Sequence, residues 1–386
     1  MHIGLVSDCY LPQVGGIEMQ VHDLALHLRD AGHEVIVITA IDGPPEIDGI
    51  RVHRLDVPLL PFNIPFTPRS FHLVAEILRG ERVDVAHFHG GIVSPLAYFA
   101  AYSSQQAGIP TVITTHCLWS YATPAFALLD RIFRWRDWNT VLSAVSGVAA
   151  TPIRGIVGDT RDVIVLPNGI DNSAWQVARP ELDEPDDGTI TIVSVMRLAP
   201  RKRPLHLLKM IKKVHEQIAP ETHLRVVIIG DGPERTSLER YIRTHELGEV
   251  VELVGRLTRE EIRGVFSFAD MFVAPANLES FGIAALEARC AGLPVVAKAR
   301  TGIREFVEHG REGLLARSDR DMVDQITRLV RDRELRLVIS KNNRETPSPV
   351  DWSDVVQLNL RAYRSAVAGE TVRPLRPARV INRATP

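Results

Sequence analysis

Short apolar runs rich in β-branched residues alternate along this chain with longer stretches in which apolar positions recur every three or four residues. Ile3-Gly4-Leu5-Val6 reads as a strand, Gly15-Gly16 breaks the chain, and Val21, Leu24, Ala25 and Leu28 then follow at helical spacing. Gly32 stops that helix, and Val35-Ile36-Val37-Ile38 has the unbroken apolar character of a strand buried in a parallel sheet. Further strand-like runs at residues 83–87, 111–115, 140–145 and 162–166, with helix-length segments between most of them, predict a doubly wound α/β domain over 1–172.

Between Pro167 and Gly188 the character changes. Pro180, Glu181, Asp183, Glu184, Pro185, Asp186 and Asp187 make an acidic, proline-punctuated stretch unsuited to a core, so 173–188 reads as a linker. The alternation restarts with strand-like runs at 190–195, 224–229, 250–253, 271–274 and 294–297, which predicts a second α/β domain over 189–349. The segment 367–386, with Arg373, Arg376, Arg379 and Arg383 among prolines, reads as a basic, disordered tail. Ligands of open α/β sheets bind outside the carboxyl ends of the strands, so informative residues are expected to follow strands and to face a cleft between the domains.

Composition agrees and narrows the class. A chain of 386 residues is long enough for two cores, and 45% hydrophobic with 24% charged residues is the balance of a soluble globular protein. A net charge of −2 argues against a dedicated nucleic-acid binder. Cys9, Cys117 and Cys290 are too few and too scattered for a disulfide framework or a zinc site. The N-terminus lacks the features of a targeting segment, and no run reaches about 18 apolar residues, so a cytoplasmic location is the expectation.

Four constellations carry chemistry. The first, Asn277-Leu278-Glu279-Ser280-Phe281-Gly282-Ile283-Ala284-Ala285-Leu286-Glu287, follows a strand. A helix starting near Gly282 turns its free amides into an anion site, with Glu279 before it and Glu287 in its second turn. Two carboxylates beside a phosphate suit a ligand that also carries hydroxyls, a sugar and a ribose; the segment by itself is equally compatible with solvated residues favouring a helix start. The second, Met196 to Pro204, puts Arg197, Arg201, Lys202 and Arg203 directly after a strand; a diphosphate leaving group would need such charges, and although a bare basic run is more commonly a solvated loop, its position at a strand end before a helix weighs against that. The third is the glycine turn Gly15-Gly16 between strand and helix, where amides approach a phosphate, although neither G-x-G-x-x-G nor a Walker sequence is present. The fourth is histidine. His87 and His89 form an H-x-H pair without a third ligand at metal spacing, which favours polar lining over metal binding, and His116 stands where a neutral imidazole meets a sugar hydroxyl or developing positive charge.

Together Gly15-Gly16-Ile17-Glu18, His116, Pro167-Asn168-Gly169-Ile170-Asp171, Arg197 to Lys202, Gly230-Asp231-Gly232-Pro233 and the EX7E pair Glu279 and Glu287 resemble the GT4-type retaining glycosyltransferases (glycosyl transferases group 1), from residue 1 to about 366. The resemblance implies the GT-B fold: two Rossmann-like domains, an acceptor-side first domain completed by a final helix over about 350–366 that begins near Trp352, and a nucleotide-binding second domain. It implies that Gly16 gives an amide to the donor diphosphate, that Arg197 and Lys202 neutralise it, and that Glu279 contacts the donor sugar. It further implies that Phe281, Gly282 and Ile283 present amides, Glu287 binds the ribose, His116 sits by the reacting sugar, and Gly255-Arg256-Leu257 covers the base. Two positions depart from the family: Met196 stands where a glycine precedes the arginine, and Arg203-Pro204 follows Lys202 in place of glycine.

The implied activity is transfer of a hexose with retention from a UDP- or GDP-sugar to an acceptor hydroxyl, a lipid or cell-envelope glycan precursor being one candidate. No cofactor beyond the donor and no metal is called for. A sugar-nucleotide 2-epimerase and a non-catalytic sugar-nucleotide-binding protein are the rivals. Residues 126–138 combine an apolar set with Arg131, Arg134 and Arg136 and two tryptophans, which suits either peripheral contact with the cytoplasmic membrane surface or an ordinary helix packed on the first sheet. The proline-rich stretch 58–68 is a second candidate acceptor or membrane loop.

Overall fold

The computed structural model describes residues 1–13, 15–60, 64–65, 68–119, 121–178, 188–218, 220 and 222–369. Most of the acidic stretch, the tail from Glu370, and residues 61–63 and 66–67 of the proline-rich stretch lie outside the described residues. The chain divides into two compact units, 1–169 together with the segment from Trp352, and 170–351.

Among the described residues the first unit holds an eight-stranded sheet. Its strands are β1 (His2–Ser7), β2 (Glu34–Thr39), β3 (Glu46–Ile47), β4 (Ile50–Arg54), and, after the hairpin β5 (Leu59–Leu60) and β6 (Ile64–Pro65), β7 (Val85–Gly90), β8 (Thr111–Thr115), β9 (Thr140–Ala144) and β10 (Val163–Val165). The order is β10-β9-β8-β7-β1-β2-β4-β3, and only the β3–β4 pair is antiparallel. Ile3, Leu5, Val6, Ile36, Val37, Ile38, Ala86 and Phe88 are essentially inaccessible, as central parallel strands covered on both faces require. The helices are α1 (Gly16–Asp30), α2 (Pro68–Gly80), α3 (Pro95–Gln106), α4 (Thr123–Phe133) and α5 (Gly147–Val157). Because β2 and β4 extend the sheet to one side of β1 and β7 to β10 to the other, strand order reverses between β1 and β7. The loops after these two strands therefore diverge and leave a crevice.

The second unit opens with the four-residue helix α6 (Asn172–Trp175), capped by the Asp171 carboxylate on the Ala174 amide at 3.0 Å. Trp175 is buried beside Phe266, and α6 packs on α10, so 170–175 belongs to this unit rather than to the first domain or a linker. Then follow β11 (Thr189–Val195), α7 (Pro204–Gln217), β12 (His223–Ile229), α8 (Arg235–Thr244), β13 (Val251–Gly255), α9 (Arg259–Phe268), β14 (Met271–Ala274), α10 (Ile283–Cys290), β15 (Val295–Lys298), β16 (Gly313–Ala316), α11 (Asp319–Arg331) and α12 (Arg333–Glu345). The parallel sheet runs β13-β12-β11-β14-β15-β16, so strand order reverses between β11 and β14. The loop of cations and the loop with Glu279 emerge at that reversal.

The last helix, α13 (Trp352–Ala368), returns to the first unit and packs on β7, β8, β9 and α1, which carries helix through the first two residues of the expected tail. Its first residue, Trp352, stacks on His27 with ring centroids 4.8 Å apart and lies against Gly169. Gln20 grips the Gly169 backbone from both sides, donating to its carbonyl at 3.1 Å and accepting from its amide at 3.0 Å.

Candidate active site

In the second unit, Lys202 donates from Nζ to Glu279 Oε2 at 2.5 Å and ties the loop after β11 to the loop after β14. Both side chains keep partial exposure, 26% and 16%, so the pair is open to solvent on one side. Arg197, on the same loop, is exposed, and its side chain makes no hydrogen bond or ion pair among the described residues.

Arg203 is engaged differently. It donates to the Pro275 carbonyl at 3.1 Å and to Asn277 Oδ1 at 3.0 Å, and it forks onto Asp319 at 2.9 and 2.6 Å. Lys298 donates to the same Asp319 at 2.7 Å. The Arg203 guanidinium, with Lys298, holds the Asp319 carboxyl well below the usual carboxylate range. The two cations are thus committed to a carboxylate at the first turn of α11, and Arg203 is withdrawn from the group of charges expected to face a diphosphate. Its backbone sits in the left-handed region at φ 61° as N-cap of α7, which explains why a glycine would be at home here. The four side-chain bonds hold an arginine in that conformation.

The Gly-Asp-Gly-Pro segment works through its backbone. Met196 donates to Ile229, Leu198 to Asp231 and Glu234 to Leu198, each at 2.9 Å, which pins the residues on either side of Arg197. Gly230 has φ 128°, and a Cβ there would stand 1.9 Å from the Met196 carbonyl, so no other residue fits without moving the Arg197 loop. Gly302 acts alike on the other loop: its amide donates to the Glu279 carbonyl at 2.8 Å, and a Cβ would stand 2.0 Å from the Ser280 carbonyl.

Helix α10 begins after Gly282, whose carbonyl accepts from the amides of Ala285 and Leu286 at 3.0 Å. The preceding amides of that turn are those a helix leaves without an internal acceptor. Phe281 is buried against Phe306, so only its backbone is available to a ligand, and Ile283 opens the first turn. Glu287, in the second turn, is buried. Arg256 is exposed and Leu257 half-buried just beyond β13.

In the first unit, Gly15 is the extended N-cap of α1 and Gly16 its exposed first residue. Asp8, just beyond β1, accepts from the Leu96 and Ala97 amides at 3.0 and 3.1 Å and so caps α3. Burial pushes its carboxyl up to about 7 in spite of those amides. His116, after β8, is buried, and its Nε2 lies 3.0 Å from His89 Nδ1. His87 packs against His89 with ring centroids 4.0 Å apart and planes tilted by 38°, and bonds through Nδ1 to the Tyr363 hydroxyl at 2.9 Å and through Nε2 to Thr114 at 2.6 Å. Desolvation pushes His87 down to about 3, His116 to about 4, and His89 well below its ordinary value, so all three imidazoles are neutral at pH 7.

The fold therefore brings Lys202 and Glu279 into contact, places Arg197 on the same loop as Lys202, and sets α10 directly after the Glu279 loop. The roles of Gln20, Asp319, Lys298 and Tyr363 had no local signal in the sequence, because each acts on a partner far along the chain.

Comparison with known proteins now bears on this geometry. Residues 14–174 match the model for Glycosyltransferase Family 4, and residues 179–346 that for Glycosyl transferases group 1. The chain is 25% identical over 381 residues to the phosphatidylinositol N-acetylglucosaminyltransferase gpi3 subunit of Schizosaccharomyces pombe, covering 96% of this chain and 82% of that protein. It is 28% identical over 349 residues to a GDP-mannose-dependent alpha-mannosyltransferase of Mycolicibacterium smegmatis, covering 82% and 84%. Its fold superimposes with a TM-score of 0.74 on Anabaena Alr3699/HepE in complex with UDP, at 20% identity, over 95% of this chain and 100% of that one. Two Rossmann-like units of parallel sheet in this order are the architecture of the GT-B glycosyltransferases. The chain belongs to the GT4-type glycosyltransferases.

Proposed function

We propose that this glycosyltransferase moves a hexose with retention from a UDP- or GDP-sugar to an acceptor hydroxyl, using protein charges in place of a metal. The observation that carries the reading is the Lys202–Glu279 pair beside the first turn of α10. An ammonium and a carboxylate in contact, partly open to solvent, offer one group to a phosphate oxygen and the other to a sugar hydroxyl. A donor with both features exchanges the internal pair for two bonds of its own. Arg197 and Lys202 balance the charge that grows on the leaving diphosphate, with amides of Phe281, Gly282 and Ile283, and of Gly16, as further donors. Glu287 takes the ribose, Arg256 and Leu257 the base. Neutral His116 holds a hydroxyl of the reacting sugar without adding charge. The leaving phosphate accepts the acceptor's proton on the face where the new bond forms, so the anomeric configuration is kept. The names of the relatives, which mention GDP-mannose and N-acetylglucosaminyl transfer, and the UDP in the Anabaena structure support a nucleoside diphosphate sugar as donor.

Incubation with UDP-, GDP- and ADP-sugars plus a lipid extract as acceptor source, in the presence of a chelator, tests this reading. The expected result is acceptor-dependent release of UDP or GDP and a product with the donor's anomeric configuration by proton NMR. Epimerised sugar nucleotide without transfer, or no release from any donor, would establish one of the rival readings instead.

The acceptor side is best read at a membrane surface. Helix α4 buries only Phe126 and Asp130, while Leu128 (58%), Leu129 (36%), Ile132 (65%) and Phe133 (37%) stay exposed. An ordinary core-packed helix would bury that set. Of the three arginines, Arg136 pairs with Asp130 and Arg134 with Asp137 at 2.8 Å, which leaves Arg131 as the one of the three without an ion pair among the described residues. Among the described residues no helix is long and apolar enough to cross a membrane; the contact read from α4 is a peripheral one, at the inner face of the plasma membrane. Sedimentation with phosphatidylcholine vesicles, with and without phosphatidylglycerol, should show binding that is strongest with the anionic lipid and is lost in Ile132→Asp. Absence of the protein from both pellets at low salt removes this placement.

A further inference from the structure

Three histidines form a cluster of tilted rings, of which the proposed transfer uses only His116. Positions 87 and 89 on β7 project from one side of the sheet, and His116 follows the neighbouring strand β8. Both nitrogens of His87 are engaged, by Tyr363 and Thr114. His89 is 3% exposed; its Nδ1 faces His116 Nε2 at 3.0 Å, and its Nε2 is buried with no hydrogen-bond partner among the described residues.

Between two neutral imidazoles only one of the facing nitrogens carries the proton. If it sat on His116, His89 would accept at Nδ1 and hold its own proton on Nε2, an N–H buried without an acceptor. If it sits on His89 Nδ1, the orphan at Nε2 is only a lone pair. A buried N–H without an acceptor is the rarer and costlier defect. The second arrangement therefore prevails: His89 Nδ1–H donates to His116 Nε2, and neutral His116 carries its proton on Nδ1.

We propose that His89 is a positioning residue that sets the tautomer and ring plane of His116. The inference rests on the reading of His116 as a residue of the transfer site. It deepens that reading, because Nε2 of His116 is taken up by His89 and is not available as a general base. The cluster extends the support outward: His87, held by Tyr363 of α13, packs against the His89 ring with centroids 4.0 Å apart and restricts its turning.

Histidine labelled with nitrogen-15 in the full chain provides a test independent of turnover. At pH 7 without ligand, two-bond proton–nitrogen correlations should show His116, assigned by its loss in His116→Asn, as a single Nδ1–H tautomer. In His89→Leu, which removes the donor, the His116 signals should shift toward a mixture, and kcat should fall about tenfold with little change in donor KM. His89→Asn places an amide N–H where Nδ1 was and should restore both. An Nε2–H tautomer of His116 in the native protein, or unmoved His116 signals in His89→Leu, overturns the proposal. Should His116→Asn transfer sugar at the native rate while the tautomer shifts as described, His89 still orients His116, and it is the placement of His116 in the reaction that fails.

Discussion

Lys202→Ala is expected to lower kcat by roughly a hundredfold and to weaken donor binding as well. Loss of one preorganised donor to a developing oxyanion costs about 3 kcal/mol, which is the hundredfold. The added effect on binding comes from Glu279. Its carboxylate is now matched by the Lys202 ammonium at 2.5 Å, and the alanine variant would leave it uncompensated beside an incoming diphosphate. Arg197 has no such partner among the described residues, so Arg197→Ala should reduce kcat by a similar factor with a smaller change in KM for the donor. Steady-state kinetics on both variants and on Lys202→Ala with Glu279→Gln separates the two contributions. The double variant should recover the donor affinity lost in Lys202→Ala while kcat stays low. Native turnover at saturating donor in Arg197→Ala and Lys202→Ala would remove these cations from the reaction.

Acid should destabilise the first unit well before its carboxylates titrate in bulk. His87 and His116 are held down to about 3 and about 4 by burial, and His89 is lowered as well, whereas the unfolded chain protonates histidine near 6.5. Below that pH the unfolded state binds protons the folded state refuses, so stability falls as pH falls; above it nothing is lost. Asp8 acts in the opposite sense. Its carboxyl is raised from 3.8 to about 7, so the folded state holds an extra proton between those values and gains stability on acidification. Three imidazoles against one carboxyl leave a net uptake of about two protons on unfolding near pH 5. The folding constant should then drop by about a few hundredfold between pH 7 and pH 5. Scanning calorimetry across that range checks it, and His89→Asn, which keeps the hydrogen bond but cannot titrate, should flatten the slope. A melting temperature unchanged from pH 7 to pH 5 contradicts buried neutral histidines.

Much of the architecture was legible because it is written in local periodicity. The β-branched runs at Val35-Ile36-Val37-Ile38 and around Val193 are strands because such side chains pack on a pleated surface covered on both faces, whatever lies elsewhere in the chain. The helix start at Gly282 and the spacing of Glu279 and Glu287 were legible for the same reason: they lie within one loop and two helical turns. The linker boundary was not. Asn172–Trp175 has the polar look of a connection, and only the burial of Trp175 beside Phe266 makes it part of the second unit.

Charges were read least well. Four cations after β11 look alike as a sequence, yet Arg203 belongs to Asp319, 116 positions away, whereas Lys202 meets Glu279 and Arg197 meets neither. The H-x-H pair offered metal binding or polar lining; its actual partner at one end is Tyr363, 276 positions beyond His87. The apolar set on α4 could equally have faced a core. By itself the sequence determined the two α/β units, the central strands of each sheet though not the edge strands β3, β4 and β16, and the residue types gathered at the strand ends, because those follow from hydrophobic period and backbone preference. Which cation is compensated, which histidine faces which, and which apolar face stays open were decided only by the tertiary structure, since a charge, a tautomer or an exposed surface is defined by what packs against it.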